Sequence, residues 1–331
     1  MIVLGIDTSC DDTSVAVLED RKILSNVVSS QIKFHSKYGG IVPEIASRKH
    51  IEWIWDVTEK AINEANLTMK DIELIAVCHG PGLIGSLLVG LCFAKALSYA
   101  SRKSLIGVNH LEGHIQAIFL EKLYPDFPFL TLIVSGGHTS LYRVDDFGKY
   151  KELGRTRDDA AGEAYDKVAK MLGVGYPGGP VIDSMANEGN PEKFNLPRPY
   201  LHGSLDFSFS GLKTAVKLLL KNLGYEEGKV PDDVKKDISA AFQCCVIDVL
   251  IEKIKWAASM EKLKRVVITG GVAANSELRK RAKMIEGLEI YLPSKSLCTD
   301  NAAMIAVAGY HRFLRGEKSD LYLNARAYLP L

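Results

Sequence analysis

The sequence predicts an α/β protein of two lobes, each opening on a β-hairpin. Three observations carry this expectation. An apolar run at 2–6, a polar turn at 7–12 and a second run at 13–18 read as strand, tight turn and returning strand. The same grammar recurs at 129–134, 135–138 and 139–144, with little sequence identity, as expected of a repeated supersecondary unit. A third small turn, Gly270-Gly271, follows the apolar run 265–269 and precedes a helical stretch, which sets a helix N-terminus against a ligand. Three such turns suit one nucleotide better than three unrelated loops.

The elements follow in order. Residues 50–66 show helical spacing, 72–78 read as a strand ending in HGPG, and 83–100 as a buried helix containing glycine. Residues 104–108 form a short strand, and Asn109 is placed to cap a helix over 110–120. Tyr124, Pro125, Asp126 and Pro128 break that helix and set the lobe boundary, giving lobes of 1–126 and 127–331. In the second lobe 162–172 is helical and runs into YPGGP. Residues 187–211, rich in Pro, Gly, Asn and Ser, read as a long surface excursion inside a helical and loop insertion at 187–235. A buried helix at 238–260, the strand 265–269, a helix at 274–285 and a last helix at 299–315, near the lobe interface, complete the chain.

Composition narrows the function. Forty-one basic residues against 40 acidic ones leave a net charge of +1, so no chain-wide field gathers a polyanion. Nucleic acid would need a local patch or a partner protein. Arg279, Lys280, Arg281 and Lys283 form a basic patch that also reads as the solvated face of a helix. Six cysteines without CxxC spacing lie mostly in apolar runs, which points to a reducing, cytoplasmic setting rather than a disulfide frame. The N-terminus reaches Asp7 without a basic region, unlike a signal peptide. The longest uncharged apolar run, 83–94, falls short of the ~20 residues of a membrane span, so no membrane is expected.

Four segments carry chemistry. In LGIDTSCDDT, Asp7 and Asp12 flank a turn that could orient magnesium or water while backbone N–H groups face phosphate; a hairpin with a capping Asp would look the same. Cys10 in this turn has no neighbour in sequence to activate it as a nucleophile. In SGGH at 135–138 the glycines let backbone approach an anion, and Ile133 stands where a hydrolase Gly-x-Ser-x-Gly elbow needs glycine. In ITGGVAAN, Asn275 sits at a helix start with a side chain that donates and accepts. In GVNHLEGHI, His110 and His114 are four apart, so a helix projects both from one face toward a shared metal. A zinc protease needs Glu directly after the first His, yet Leu111 stands there and Glu112 is one position late, rotated by about 100°. Asp300, ahead of an apolar helix, is the candidate third ligand, with helix capping as its other reading.

Taken together, GIDTSCDDT, PEIASRKH, GPGLIGSLLVG, NHLEGH, VSGGHT, GEAYDKVAKMLG, YPGGP, FSFSGLKTA, ITGGVAAN and CTDNAAMIA resemble, in order and along almost the whole chain, the TsaD/Gcp family of tRNA N6-adenosine threonylcarbamoyltransferases, once described as glycoprotein endopeptidases. The resemblance implies an actin/hexokinase/Hsp70-like (ASKHA) fold with a central nucleotide cleft. It implies metal ligands at His110, His114 and Asp300, and substrate contacts at Val134, Ser135, Gly136, Gly137, His138, Asp166, Gly179, Asp183 and Asn275. One departure is informative. Archaeal and eukaryotic relatives carry a metal-reaching Tyr where this chain has Ile133, so the chain resembles the bacterial branch.

The implied reaction moves threonylcarbamoyl from its adenylate to N6 of the tRNA adenosine 3′ of the anticodon, with release of AMP. Implied cofactors are one divalent metal per subunit, iron ahead of zinc, and magnesium accompanying a nucleotide. Implied partners are tRNA, threonylcarbamoyl-AMP or ATP/ADP, and proteins resembling TsaB, an actin-like paralogue, and TsaE, an ATPase. A metal-dependent endopeptidase and a nucleotide-binding scaffold subunit are the alternative functions.

Overall fold

A computed structural model describes residues 1–331 in full. The chain divides into two compact units, Met1–Phe34 with Ile41–Tyr124 and Pro293–Leu331, and His35–Gly40 with Pro125–Leu292. The expected boundary lies two residues from the Tyr124/Pro125 junction. Residues 293–331, expected in the second lobe, instead group with the first unit.

The first unit is built on a five-stranded sheet of β1 (Ile2–Asp7), β2 (Asp12–Glu19), β3 (Lys22–Ser30), β4 (Leu74–Gly80) and β5 (Ser104–Asn109), in the order β3-β2-β1-β4-β5. β1 to β3 run antiparallel, whereas β4 and β5 join β1 in parallel, with Ile6 opposite both Val15 and Val77. β1 and β4 are buried along almost their whole length, as strands with both faces covered must be.

Side-chain alternation tells which face meets what. Leu4, Ile6, Val15, Val17, Ile75 and Val77 join one core with Ile54, Val57, Ala61 and Leu91 of the helices Pro43–Glu64 and Ile84–Ser101. The intervening Gly5, Ala16 and Ala76 are small, and the alanine-rich helix Ala302–Leu314 packs on β1, β2 and β4. A Cβ on Gly5 would sit 2.4 Å from the carbonyl oxygen of Ala302, so only glycine admits this approach. This small-residue face is why the C-terminal segment belongs to the first unit.

The helix Ile84–Ser101 is long and apolar enough to cross a membrane by length and composition alone. Here its buried side, with Leu87, Leu91 and Ala94, lies against the sheet and the neighbouring helix.

The second unit repeats the plan. Strands β6 (Phe129–Val134), β7 (Thr139–Asp146), β8 (Lys149–Arg155), β9 (Arg265–Thr269) and β10 (Glu289–Tyr291) are ordered β8-β7-β6-β9-β10, antiparallel for the first three and parallel for β6, β9 and β10. Position for position this is the first sheet again. The duplication therefore extends beyond the two hairpins that the sequence displays. The third strand of each sheet was not expected, because β3 and β8 are largely polar or exposed edge strands without an apolar run. The 30-residue helix Asp232–Glu261 packs against β6 and β7, the helices Gly178–Ala186 and Ser210–Asn222 pack on it, and Ala161–Leu172 packs on those two. Most of 187–209 has no regular structure, and the helix at Ser210 follows it.

Candidate active site

In the first unit three side chains converge. β5 ends at Asn109, whose Oδ1 accepts the N–H of Leu111 at 2.8 Å and starts the helix His110–Gln116. That helix presents His110 and His114 on one face, rings edge-on with centroids 4.8 Å apart. Asp300 enters from just before the helix Ala302–Leu314, which is capped by Asn301 rather than by Asp300. Asp300 Oδ1 lies 3.2 Å from His114 Nε2 and 3.6 Å from His110 Nε2. The Asp300 side chain is 29% exposed and the imidazoles are buried, which leaves an approach from the carboxylate side.

The donor set fits a divalent metal. Bonds of about 2.0–2.1 Å at tetrahedral or octahedral angles place neighbouring ligand atoms about 2.8–3.4 Å apart, close to the 3.2 and 3.6 Å between the carboxylate and the two imidazoles. His114 Nε2, 3.2 Å from the carboxylate, is buried and makes no hydrogen bond, as expected of a nitrogen aimed at an ion; the buried Nδ1 of the same ring also has no hydrogen-bond partner. The charges agree. Burial opposes protonation of His110, yet the carboxylates of Asp300 and Asp7 outweigh it and hold that imidazole well above its ordinary range. Burial likewise pushes Asp300 up, and the facing imidazoles overcome it and hold the carboxyl well below. The centre thus favours positive charge between two imidazoles and a carboxylate.

Behind His110 stands the Asp7 turn. Asp7 Oδ2 lies 3.4 Å from His110 Nδ1, and Ser9 Oγ lies 3.1 Å from the same nitrogen, leaving Nε2 to face Asp300. Asp7 Oδ1 accepts the N–H of Ser9 at 2.9 Å. His50 clamps the turn from the side, with Nδ1 2.8 Å from Thr13 Oγ1 and Nε2 3.0 Å from the Cys10 carbonyl. Asp7 therefore faces a candidate ligand, whereas Asp12 is a poorly solvated carboxyl pushed up to about 7, by burial first and then by Asp11, Asp300 and Asp7, against a hydrogen bond from Ser30. Burial, with Asp11 and Asp300, also raises the Cys10 thiol well above its usual range, which disfavours a thiolate nucleophile. Ser9 and His50 were invisible to spacing, being 101 and 37 residues from the groups they hold.

In the second unit, the two glycine turns lie at the C-terminal ends of the neighbouring parallel strands β6 and β9. Ser135 N–H donates to the His138 carbonyl at 2.8 Å, and His138 N–H donates to Ser135 Oγ at 3.1 Å, which closes the turn after Val134. Gly136 and Gly137 have open space where a Cβ would point. Gly270 adopts φ +95°, and a Cβ there would meet the Val134 carbonyl oxygen at 2.4 Å; this glycine brings the two turns together, with Gly271 following.

Asp166, Asp183 and Asn275 hold helix starts. Asp166 Oδ1 accepts the Gly178 N–H at 2.7 Å, at the head of the helix that contains Gly179 and Asp183. Asp183 accepts Ser276 N–H and Oγ–H, each at 2.9 Å. Asn275 Oδ1 caps the helix Ser276–Lys283 through Leu278 N–H, while its Nδ2 donates to Gln243 at 2.6 Å. The helix Gly178–Ala186 thus links Asp166 to Asp183, Ser276 links Asp183 to Asn275, and Gln243 holds Asn275, a partner that no motif suggested. In the basic patch, Arg281 is bound to Asp248, Arg279 to the Ala273 carbonyl and Lys280 to Glu277.

Comparison with known proteins gives the fold and the family. A full-length HypF structure aligns with 94% of this chain and 55% of its own at TM-score 0.60 and 16% identity. The (R)-2-hydroxyglutaryl-CoA dehydratase component A of Acidaminococcus fermentans aligns over 94% and 98% at TM-score 0.55 and 18% identity. At these identities the likeness concerns the fold alone, the actin-like ASKHA architecture. In sequence, the chain is 82% identical to the tRNA N6-adenosine threonylcarbamoyltransferase of Thermodesulfovibrio yellowstonii over all of both chains. It is 52% identical to that of Syntrophus aciditrophicus, over 100% of this chain and 98% of the relative. The family described as TsaD, tRNA N6-adenosine threonylcarbamoyltransferase, matches residues 22–307. From full-length identity and this family match together, the chain belongs to the TsaD family of tRNA N6-adenosine threonylcarbamoyltransferases.

Proposed function

We propose that this chain transfers threonylcarbamoyl from threonylcarbamoyl-AMP to N6 of the tRNA adenosine 3′ of the anticodon, and that His110, His114 and Asp300 hold the metal that serves this acyl transfer. The convergence of those three side chains carries the metal assignment. A divalent ion held by these residues would supply Lewis acidity toward the acyl oxygens. Two imidazoles and one carboxylate leave coordination positions open and suit iron, with zinc as the second choice.

The chain's own residues do the rest. Asp7 and Ser9 orient His110. The turns at Val134–His138 and Gly270-Gly271 offer backbone N–H groups suited to an adenylate or to ATP/ADP, and Asp166, Gly179, Asp183 and Asn275 shape the helix starts beside them. Asp12, with a carboxyl near 7, is poised to exchange a proton or to orient magnesium-bound water. In the reaction the N6 nitrogen bonds to the carbamoyl carbon, the bond to the AMP phosphate oxygen breaks, and the amine gives up a proton. No protein nucleophile is needed, in keeping with the raised thiol of Cys10.

Partners of the TsaB and TsaE kinds belong to this reading. Ile51, Trp55, Ile84, Leu88 and Tyr99 are exposed large apolar residues on the helices Pro43–Glu64 and Ile84–Ser101, with Trp55 61% and Tyr99 76% exposed, and such a surface suits a protein partner. Six free cysteines support a cytoplasmic location.

The endopeptidase alternative is not favoured: Glu112, the acid one place late for a protease base, is bound to Arg312 and Gln116. The test is tRNA modification in a mixture of tRNA, adenylate and partner proteins. The double variant His110→Ala, His114→Ala is expected to lose metal and nearly all product. Undiminished product would remove the metal from the mechanism, and metal-loaded wild-type protein that yields no product with all partners present would favour the scaffold.

A further inference from the structure

The two helices that bring the ligands together touch again on the side away from the metal. Glu112 is buried, and its Oε2 lies 3.2 Å from Arg312 Nη1 of the helix Ala302–Leu314. Gln116 Nε2 donates to Glu112 Oε1 at 3.1 Å, and Gln116 Oε1 lies 2.6 Å from His311 Nδ1. Arg312 is braced from its other side, where Nε donates to Glu317 Oε2 at 2.8 Å and Nη2 lies 2.8 Å from the same oxygen. Glu112 lies between the two histidines in sequence, and Arg312 is in the helix that begins two residues after Asp300.

A short helix of seven residues has little rigidity of its own, and its orientation is set by what it touches. A buried carboxylate must keep its partner, because removing one member leaves an uncompensated charge. The Glu112–Arg312 pair therefore locks the rotation and height of the histidine helix against the helix that carries the carboxylate.

We propose that Glu112 and Arg312 are positioning residues that set the separation of His110 and His114 from Asp300, and so tune metal affinity. This inference rests on the three-ligand reading above. It also gives a role to the acid that sits one place late for a protease, which aligns the ligands without touching the reacting atoms.

The experiment measures the metal dissociation constant of the full-length protein by chelator competition with Zn2+ and Fe2+, alongside the thermal midpoint of the metal-free protein. Glu112→Gln and Arg312→Met are expected to weaken metal binding about 10- to 100-fold, as loss of ligand-orienting contacts does elsewhere. Arg312→Lys, which keeps the charge but not the planar fork, is expected to restore most of that affinity. In the double variant the two losses should not add.

A purely structural pair would lower the metal-free midpoint while leaving the dissociation constant within about twofold of wild type, and that result would overturn the proposal. Should Glu112→Gln fail to fold, Arg312→Lys and Arg312→Met compared with each other carry the same test. Failure of the underlying reading is distinct: wild-type protein would then bind no stoichiometric metal, or His114→Ala would bind it unchanged, and both inferences would fall together.

Discussion

Replacing Asp12 by Asn tests the electrostatics of the Asp7 turn. Asp12 Oδ1 is buried without a hydrogen-bond partner, and the carboxyl is raised from 3.8 to about 7 by burial first, then by Asp11, Asp300 and Asp7, with Ser30 opposing. A carboxyl raised in the folded state keeps a proton that the unfolded chain releases from about pH 4 upward. The folded protein therefore loses stability as pH climbs from about 4 to 7, and stays at the lower level above that. Roughly three units at 1.36 kcal/mol each set a ceiling of about 4 kcal/mol. Partial access of the side chain to water reduces this to about 2 kcal/mol. Asp12→Asn keeps the shape and removes the charge. The metal-free variant should be more stable than wild type by about 2 kcal/mol at pH 8, with the gap under about 0.5 kcal/mol at pH 4. Urea unfolding at pH 4, 6 and 8, with a common m-value, measures it. A gap that does not change with pH, or a variant less stable than wild type at pH 8, would refute the reasoning.

Two further outcomes follow from packing and surface. Gly5→Ala puts a Cβ 2.4 Å from the backbone oxygen of Ala302 and 2.7 Å from Ala306 Cβ, so overpacking should cost about 1–3 kcal/mol in urea titrations. Because the displaced helix starts beside Asp300, metal affinity should fall in the same protein; an unchanged midpoint would show that the helix need not sit so close. Trp55→Glu, at an exposed position, should change stability by under about 0.5 kcal/mol yet weaken binding of a TsaB-like partner by about tenfold or more. Sedimentation or calorimetry with the two proteins checks this, and unaltered affinity would move the docking surface elsewhere.

Much of the fold was legible because it depends on local chemistry. Apolar runs ending in small polar turns mark β1–β2 and β6–β7, since a buried strand needs apolar side chains and a tight turn needs small ones. Asn109 as a cap and the shared face of His110 and His114 also follow from a few consecutive residues. The polar edge strands β3 and β8 escaped, because an edge half open to water needs no apolar run. The helical reading of 110–120 was long by one turn, as the α-helix gives way to a 3-10 turn at Ala117–Leu120.

By itself the sequence determined the α/β class, the doubled hairpin, the family and two histidines on one helical face, because each is encoded in residues near one another or in motifs repeated along the chain. Only the tertiary structure decided how far the duplication runs and to which unit residues 293–331 belong. It also decided that Asp300 meets the histidines, that Asp7 and Ser9 stand behind His110, that Asp183 and Asn275 are engaged at helix starts, and that Glu112 is bound to Arg312. Those partners are mostly tens to hundreds of residues apart, and proximity between them is a product of packing: small residues at Gly5 and Ala76 admit a helix from the far end of the chain, and with it the carboxylate that meets the two histidines.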